Sequence, residues 1–109
     1  LFIDSSHIIR PNGDVLYEYL TILPQLKSGV IVHIHDIFTP NNYPHNWLNE
    51  DVLFFNEQYL LEVLLENKAR YKIYASLNYL KHKQFNQLKE VCTFLNYVSE
   101  PGSFYIKIN

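Results

Sequence analysis

Val30-Ile31-Val32-His33-Ile34-His35 is β-branched and almost continuously apolar, and it stops at Asp36. A run without polar alternation marks an inner strand covered on both faces, as in a parallel sheet. Leu1-Phe2-Ile3 repeats the pattern in miniature and stops at Asp4. Between the two, Val15, Leu16, Tyr19, Leu20 and Leu23 recur at helical spacing, opened by Asp14 and closed by Lys27-Ser28-Gly29, with Pro24 near the end. Val52, Phe55, Tyr59, Leu60, Val63 and Leu64 predict a second helix, and Tyr71 to Ala75 a third strand. Leu88, Val91, Cys92 and Leu95 predict a third helix, beginning near Asn78, with Cys92 in its core stripe. Pro101-Gly102 turns the chain into an alternating final strand, Phe104 to Ile108. Strictly alternating strands and helices predict an α/β layer fold with a largely parallel sheet.

The chain's 109 residues suit one domain. Four strands make a small sheet for this fold class, and the abrupt opening on a strand without Met predicts a fragment of a larger domain. Aromatic residues reach 16%, with nine Tyr and seven Phe, which suggests surfaces meant to be covered. The net charge of -2 and the lack of a basic patch exclude the electrostatic footprint of a nucleic-acid binder. No apolar stretch approaches the ~20 residues of a membrane span, so no membrane is expected. A single cysteine, Cys92, excludes an internal disulfide and fits a reducing, cytoplasmic compartment.

Chemistry concentrates at the strand ends. In an open α/β sheet, ligands bind beyond the carboxyl ends of the strands. Asp4 and Asp36 end adjacent strands, and adjacent strands lie about 4.8 Å apart. Converging carboxylates repel, and they need a cation or a shared proton. The pair therefore suits Mg²⁺ or Ca²⁺, or acid–base work, although each Asp can equally cap its own loop. His7 and His35 lie at the same edge, where an imidazole can take a proton or bind a metal. His33 shares the parity of His35 and reads as a sheet-face residue, whereas His45 and His82 read as loop residues. There is no G-x-S-x-G, no G-x-G-x-x-G and no P-loop. The long loop from Pro40 to Trp47 is of a length that is usually functional or disordered.

Several segments together resemble one branch of the class I, Rossmann-like S-adenosylmethionine (SAM)-dependent methyltransferases. They are Leu1-Phe2-Ile3-Asp4-Ser5-Ser6-His7, Gly13-Asp14-Val15, Leu23-Pro24-Gln25-Leu26-Lys27-Ser28-Gly29 and Val32-His33-Ile34-His35-Asp36-Ile37-Phe38. Tyr43-Pro44 with Trp47, Asn56-Glu57-Gln58-Tyr59-Leu60-Leu61 and Pro101-Gly102-Ser103-Phe104-Tyr105-Ile106 complete the set.

The resemblance implies a partial Rossmann-like sheet with flanking helices. Its strands correspond to the fourth to seventh of the family, the last one antiparallel and slotted between the fifth and sixth. Residues 1–109 would be the C-terminal half of the domain, lacking the glycine-rich SAM loop and the ribose-binding acid. The resemblance implies a parent enzyme that transfers a methyl group from SAM to an oxygen of a small molecule or sugar, with the isolated chain inactive. His7, His35 and Asp36 are then assigned to catalysis, Asp4 and Ser5 to the cofactor side, and Asp4 and Asp36 to a metal such as Mg²⁺. Ile37 stands where related O-methyltransferases often place a third metal ligand, Asn, and His7 or His35 would replace it or act as the base. The loop from Asn42 to Trp47 would shape the acceptor pocket. A homo-oligomer through the exposed sheet edge or face is a further expectation. The alternatives are a non-catalytic domain of this fold in a multidomain, polysaccharide-processing protein, and a metal-dependent hydroxylase or hydrolase. A plain α/β interaction module, with a complete sheet, is the least favoured.

Overall fold

The β-branched and aromatic runs form four strands, and the computed structural model describes all of residues 1–109. They are β1 (Phe2–Ile3), β2 (Ile31–Ile34), β3 (Tyr71–Ser76) and β4 (Phe104–Ile108). They make one mixed sheet in the order β1-β2-β4-β3. Only β1 and β2 are parallel, with Phe2 opposite His33 and Ile3 opposite Ile34. β4 runs antiparallel to both of its neighbours. The largely parallel sheet expected from alternation alone is therefore corrected to a mixed one. A last strand reversed between its two predecessors is the arrangement the resemblance implies.

One helical segment links β1 to β2: α1 (Asp14–Tyr17), a π-helical stretch (Glu18–Ile22) and α2 (Leu23–Gln25). Asp14 does not cap it. Gly13 holds the N-cap position, and the Asp14 carboxylate instead accepts the N–H and hydroxyl of Ser6 at 2.7 and 2.6 Å. Those two bonds hold the Asp14 carboxyl below its ordinary value. The loop from Pro40 contains a short helix, α3 (His45–Asn49), so His45 is helical rather than in a loop. α4 (Glu57–Leu65) follows, then α5 (Leu77–Lys83) and α6 (Phe85–Val91) after β3. The single third helix expected is thus two, and His82 lies on the first of them. Cys92 sits just past the end of α6, partly exposed, and Val91 is exposed, so neither joins the core.

One face of the sheet is the core. Ile3, Val32, Ile34, Phe104, Ile106 and Ile108 pack against Val15, Tyr19 and Leu23 of the first helical segment and Leu61 of α4. The phase of α4 differs from its apolar stripe: Glu57, Gln58 and Leu61 are buried, while Tyr59 and Val63 are exposed. Gln58 is held by four bonds: its side chain accepts the Phe38 N–H (2.8 Å) and donates to the Asn41 carbonyl (2.9 Å) and Glu62 Oε1 (3.3 Å), and its own N–H donates to the Tyr43 hydroxyl (3.0 Å). The opposite sheet face is uncovered, leaving Phe2 and Ile31 56% and 45% exposed. There Phe2 and Tyr105 pack either side of His33, at ring-centre distances of 4.8 and 4.3 Å. β1 is an edge strand, with β2 its only neighbour.

Candidate functional site

Asp4 and Asp36 lie on the same rim, just beyond the parallel ends of β1 and β2, and His7 and His35 bridge them. His7 Nε2 is 3.4 Å from Asp4 Oδ1 and 3.7 Å from Asp36 Oδ2. His35 Nδ1 is 3.5 Å from Asp4 Oδ1 and 3.2 Å from Asp36 Oδ1. The strand ends bring the groups together, and two backbone reversals aim them. His7 and Asp36 both adopt the left-handed region, at φ 60° and 56°, which non-glycine residues seldom do. Each is held there by neighbours. The His7 carbonyl accepts the N–H groups of Asn56 and Glu57 at 3.0 and 3.2 Å. The residue after Asp36, Ile37, donates its N–H to the Gly102 carbonyl at 2.9 Å. Gly102 passes so close that an added Cβ would lie 2.8 Å from Asp36 Cα.

Beneath the rim is a buried carboxylate to which reasoning from the residues assigned no role. Glu57, at the start of α4, is fully buried. Its Oε2 accepts from His7 Nδ1 at 2.8 Å and from the Ser5 hydroxyl at 3.1 Å, and its Oε1 accepts from the Tyr19 hydroxyl at 2.5 Å. Burial and the Glu57 carboxylate push the Tyr19 phenol far above its ordinary value, so it stays a donor. Burial alone would lower His7. The bond to Glu57 and the negative charge of Glu57, Asp36 and Asp4 outweigh it, and the His7 imidazole is raised. With Nδ1–H directed at Glu57, Nε2 is the atom that His7 presents to the rim. Nearby Glu18, in the π-helical stretch, is raised by burial and by the charge of Glu57. Nothing in the local pattern marks Glu57 or Tyr19. The only available signal was a glutamate opening a helix in a segment that resembled the family.

The other expected residues divide. His35 turns its Nδ1 inward to the cluster, where it is buried with no hydrogen-bond partner. The hydroxyl of Ser5 donates to Glu57 Oε2 at 3.1 Å. Asp4 is half exposed and faces the two imidazoles. His33 stays on the sheet face, bonded to the Ser103 hydroxyl at 3.0 Å, as expected. His82 is not an idle loop residue: its Nε2 lies 2.9 Å from Glu100, which Lys81 and Asn78 also contact. The segment from Asn42 to Trp47 is pinned rather than open, with Tyr43 buried and Trp47 packed edge-on against Phe38 and Phe55. An open groove of about 490 Å³ lies alongside it, lined by Asn41, Asn42, His45, Asn78 and Glu100 among others. That groove is separate from the His7 cluster.

No helix is long and apolar enough to cross a membrane. No family model, curated protein or solved structure matches the chain. What stands is an α/β domain with a four-stranded mixed sheet, flanking helices and a two-histidine, two-aspartate cluster at one rim.

Proposed function

We propose that these residues form the acceptor side of a class I SAM-dependent methyltransferase acting on a hydroxyl of a small molecule or sugar. The observation that carries the reading is the strand order β1-β2-β4-β3 with β4 reversed. It is the order that the resemblance implies. The cluster beyond β1 and β2 lies where ligands of open α/β sheets bind.

When bound, SAM supplies an electrophilic methyl group on a sulfonium. Most of the residues that would bind it belong, in this reading, to strands outside residues 1–109, with Asp4 and Ser5 on the cofactor side. The chain's own work is to hold the acceptor and remove its proton. His7 Nε2 takes the proton from the acceptor hydroxyl as its oxygen gains the methyl group. Glu57 fixes the ring and stabilises the imidazolium that results, in the manner of a buried carboxylate behind a catalytic histidine. Asp36 and His35 position the acceptor oxygen. The reading puts the parent enzyme in the cytoplasm, where the lone Cys92 stays reduced. It also has the uncovered sheet face, with Phe2 and Ile31, meet the missing part of the domain or a second copy.

The test is methyl transfer by the parent protein. His7→Gln and Asp36→Asn should lower turnover by roughly 10²–10⁴-fold, the usual weight of acid–base catalysis, with SAM binding unchanged. Full turnover in both variants sinks the reading. The 109-residue chain alone should show no SAM binding by calorimetry. A metal-dependent hydroxylase is the second reading, favoured by one observation: two imidazoles and a carboxylate is the donor set of non-haem iron oxygenases. Redox-active iron in the parent would select it.

A further inference from the structure

Asp4, His7 and His35 each direct one ligand atom into a common space, and those three atoms all lie within 4.8 Å of one another. Asp4 Oδ1 is 3.4 Å from His7 Nε2 and 3.5 Å from His35 Nδ1. A tetrahedral ion with bonds of about 2.1 Å has ligand–ligand edges of about 3.4 Å. The two edges that meet at Asp4 Oδ1 stand at that spacing, and the third, between the two imidazole nitrogens, lies within 4.8 Å.

Protons do not account for the arrangement. A charge-assisted N–H to carboxylate bond closes to about 2.7–2.9 Å. Here His7 Nε2 stays at 3.4 and 3.7 Å from its two carboxylates. His35 Nδ1 is buried and makes no hydrogen bond, although two carboxylates lie within 3.5 Å. Moreover, the His7 ring is already oriented from behind: Nδ1 bonds the fully buried Glu57 at 2.8 Å. A carboxylate on the far nitrogen of a ligating histidine is the usual second layer of a metal site, where it fixes the tautomer and raises ligand basicity.

We infer that Asp4, His7 and His35 hold a divalent ion of the zinc class, through Asp4 Oδ1, His7 Nε2 and His35 Nδ1, with Asp36 bordering the remaining position. The donor set decides the ion. Two imidazoles suit zinc and its first-row neighbours, whereas Mg²⁺ takes oxygen ligands in octahedral geometry. The Mg²⁺ expected from paired aspartates therefore does not fit. The fourth position, beside Asp36, is left for water or an acceptor oxygen. The inference rests on the cluster alone. If the methyltransferase reading also holds, the ion polarises the acceptor oxygen and relieves His7 of proton removal.

Titration of the metal-free chain with Zn²⁺ tests it, with Co²⁺ as the spectroscopic probe. One Zn²⁺ per chain should bind, Co²⁺ should give the intense visible bands of a four-coordinate nitrogen–oxygen site, and excess Mg²⁺ should not compete. His35→Ala and Asp4→Asn, both partly exposed and outside the core, should each weaken Zn²⁺ at least tenfold. His45→Ala should leave it unchanged. Circular dichroism confirms that each variant is folded, and if His35→Ala is not, Asp4→Asn decides alone. Absence of binding, displacement by Mg²⁺, or equal affinity in the wild type and Asp4→Asn overturns the inference. Absence of Zn²⁺ binding would leave methyl transfer by the parent with His7 as its base, and loss of methyl transfer would leave the Zn²⁺ titration unchanged, so the two readings fail separately.

Discussion

Around Glu100, three donors meet one carboxylate. Lys81 Nζ contacts Oε1, and Asn78 Nδ2 and His82 Nε2 lie 2.7 and 2.9 Å from Oε2. Around His7 and His35, two imidazole nitrogens meet two carboxylates at 3.2–3.7 Å, and one of those nitrogens is buried without any bond. Both clusters set imidazole against carboxylate. In the first cluster each of these donors has an acceptor, and the cluster ties α5 to the segment before β4. In the second, acceptors and lone pairs face one another across a gap, while the satisfied bonds lie one layer deeper on Glu57. Histidine–carboxylate proximity alone does not mark a functional site. What distinguishes one is polar atoms left over after the scaffold has been satisfied.

This contrast can be broken most sharply at Glu57. Glu57→Ala strands His7, Tyr19 and Ser5 without their acceptor, and it should cost about 3–5 kcal/mol in urea unfolding. A loss below ~1 kcal/mol would mean that the rim is not supported from beneath. Gly102→Ala comes next. Its Cβ would meet Asp36 Cα at 2.8 Å and Asp36 Oδ1 at 3.0 Å, both fixed points of the rim. It should cost about 1–3 kcal/mol and shift Asp36 away from the imidazoles, visible as altered His7 and His35 ring resonances.

Glu100→Gln probes the satisfied cluster. Lys81 is buried, and weakening its partner should cost about 1–2 kcal/mol. The pH dependence has a definite sign. Burial pushes the Glu100 carboxyl up, but Lys81, His82 and Asn78 outweigh it, and the net displacement is downward. A depressed acid stabilises the fold fully above its unfolded value, ordinarily 4.5, and that contribution disappears as pH falls through the lowered folded value. The stability gap between wild type and Glu100→Gln should therefore narrow below pH 4.5, and a gap constant down to the acid transition would contradict the assignment. The smallest effect on folding belongs to Asp4→Asn. It should change stability by no more than about 0.5 kcal/mol, because the half-exposed carboxylate supports nothing beneath it. The same substitution should have a large effect on Zn²⁺ affinity, and that separation is the sharpest form of the contrast.

Much of the fold was legible in the residues. The runs ending at Asp4 and Asp36 are strands on neighbouring positions, and Tyr71 to Ala75 and Phe104 to Ile108 are strands as expected. Adjacent strands that share a direction end at one rim, so the meeting of Asp4, Asp36, His7 and His35 followed from pattern and parity. α4 was misread because two of its inward residues are polar. Apolar periodicity pointed to Tyr59 and Val63, whereas the buried side is Glu57, Gln58 and Leu61.

By itself, the sequence determined which segments are strands and which acids end them, because side-chain shape and alternation act on the local backbone. Tertiary structure alone decided that Glu57 lies under His7, 50 residues away in the chain, and that Glu100 gathers Lys81 and His82. A buried carboxylate is stable only where donors from separate segments converge on it. That convergence depends on how helices seat on a sheet, which no local pattern encodes.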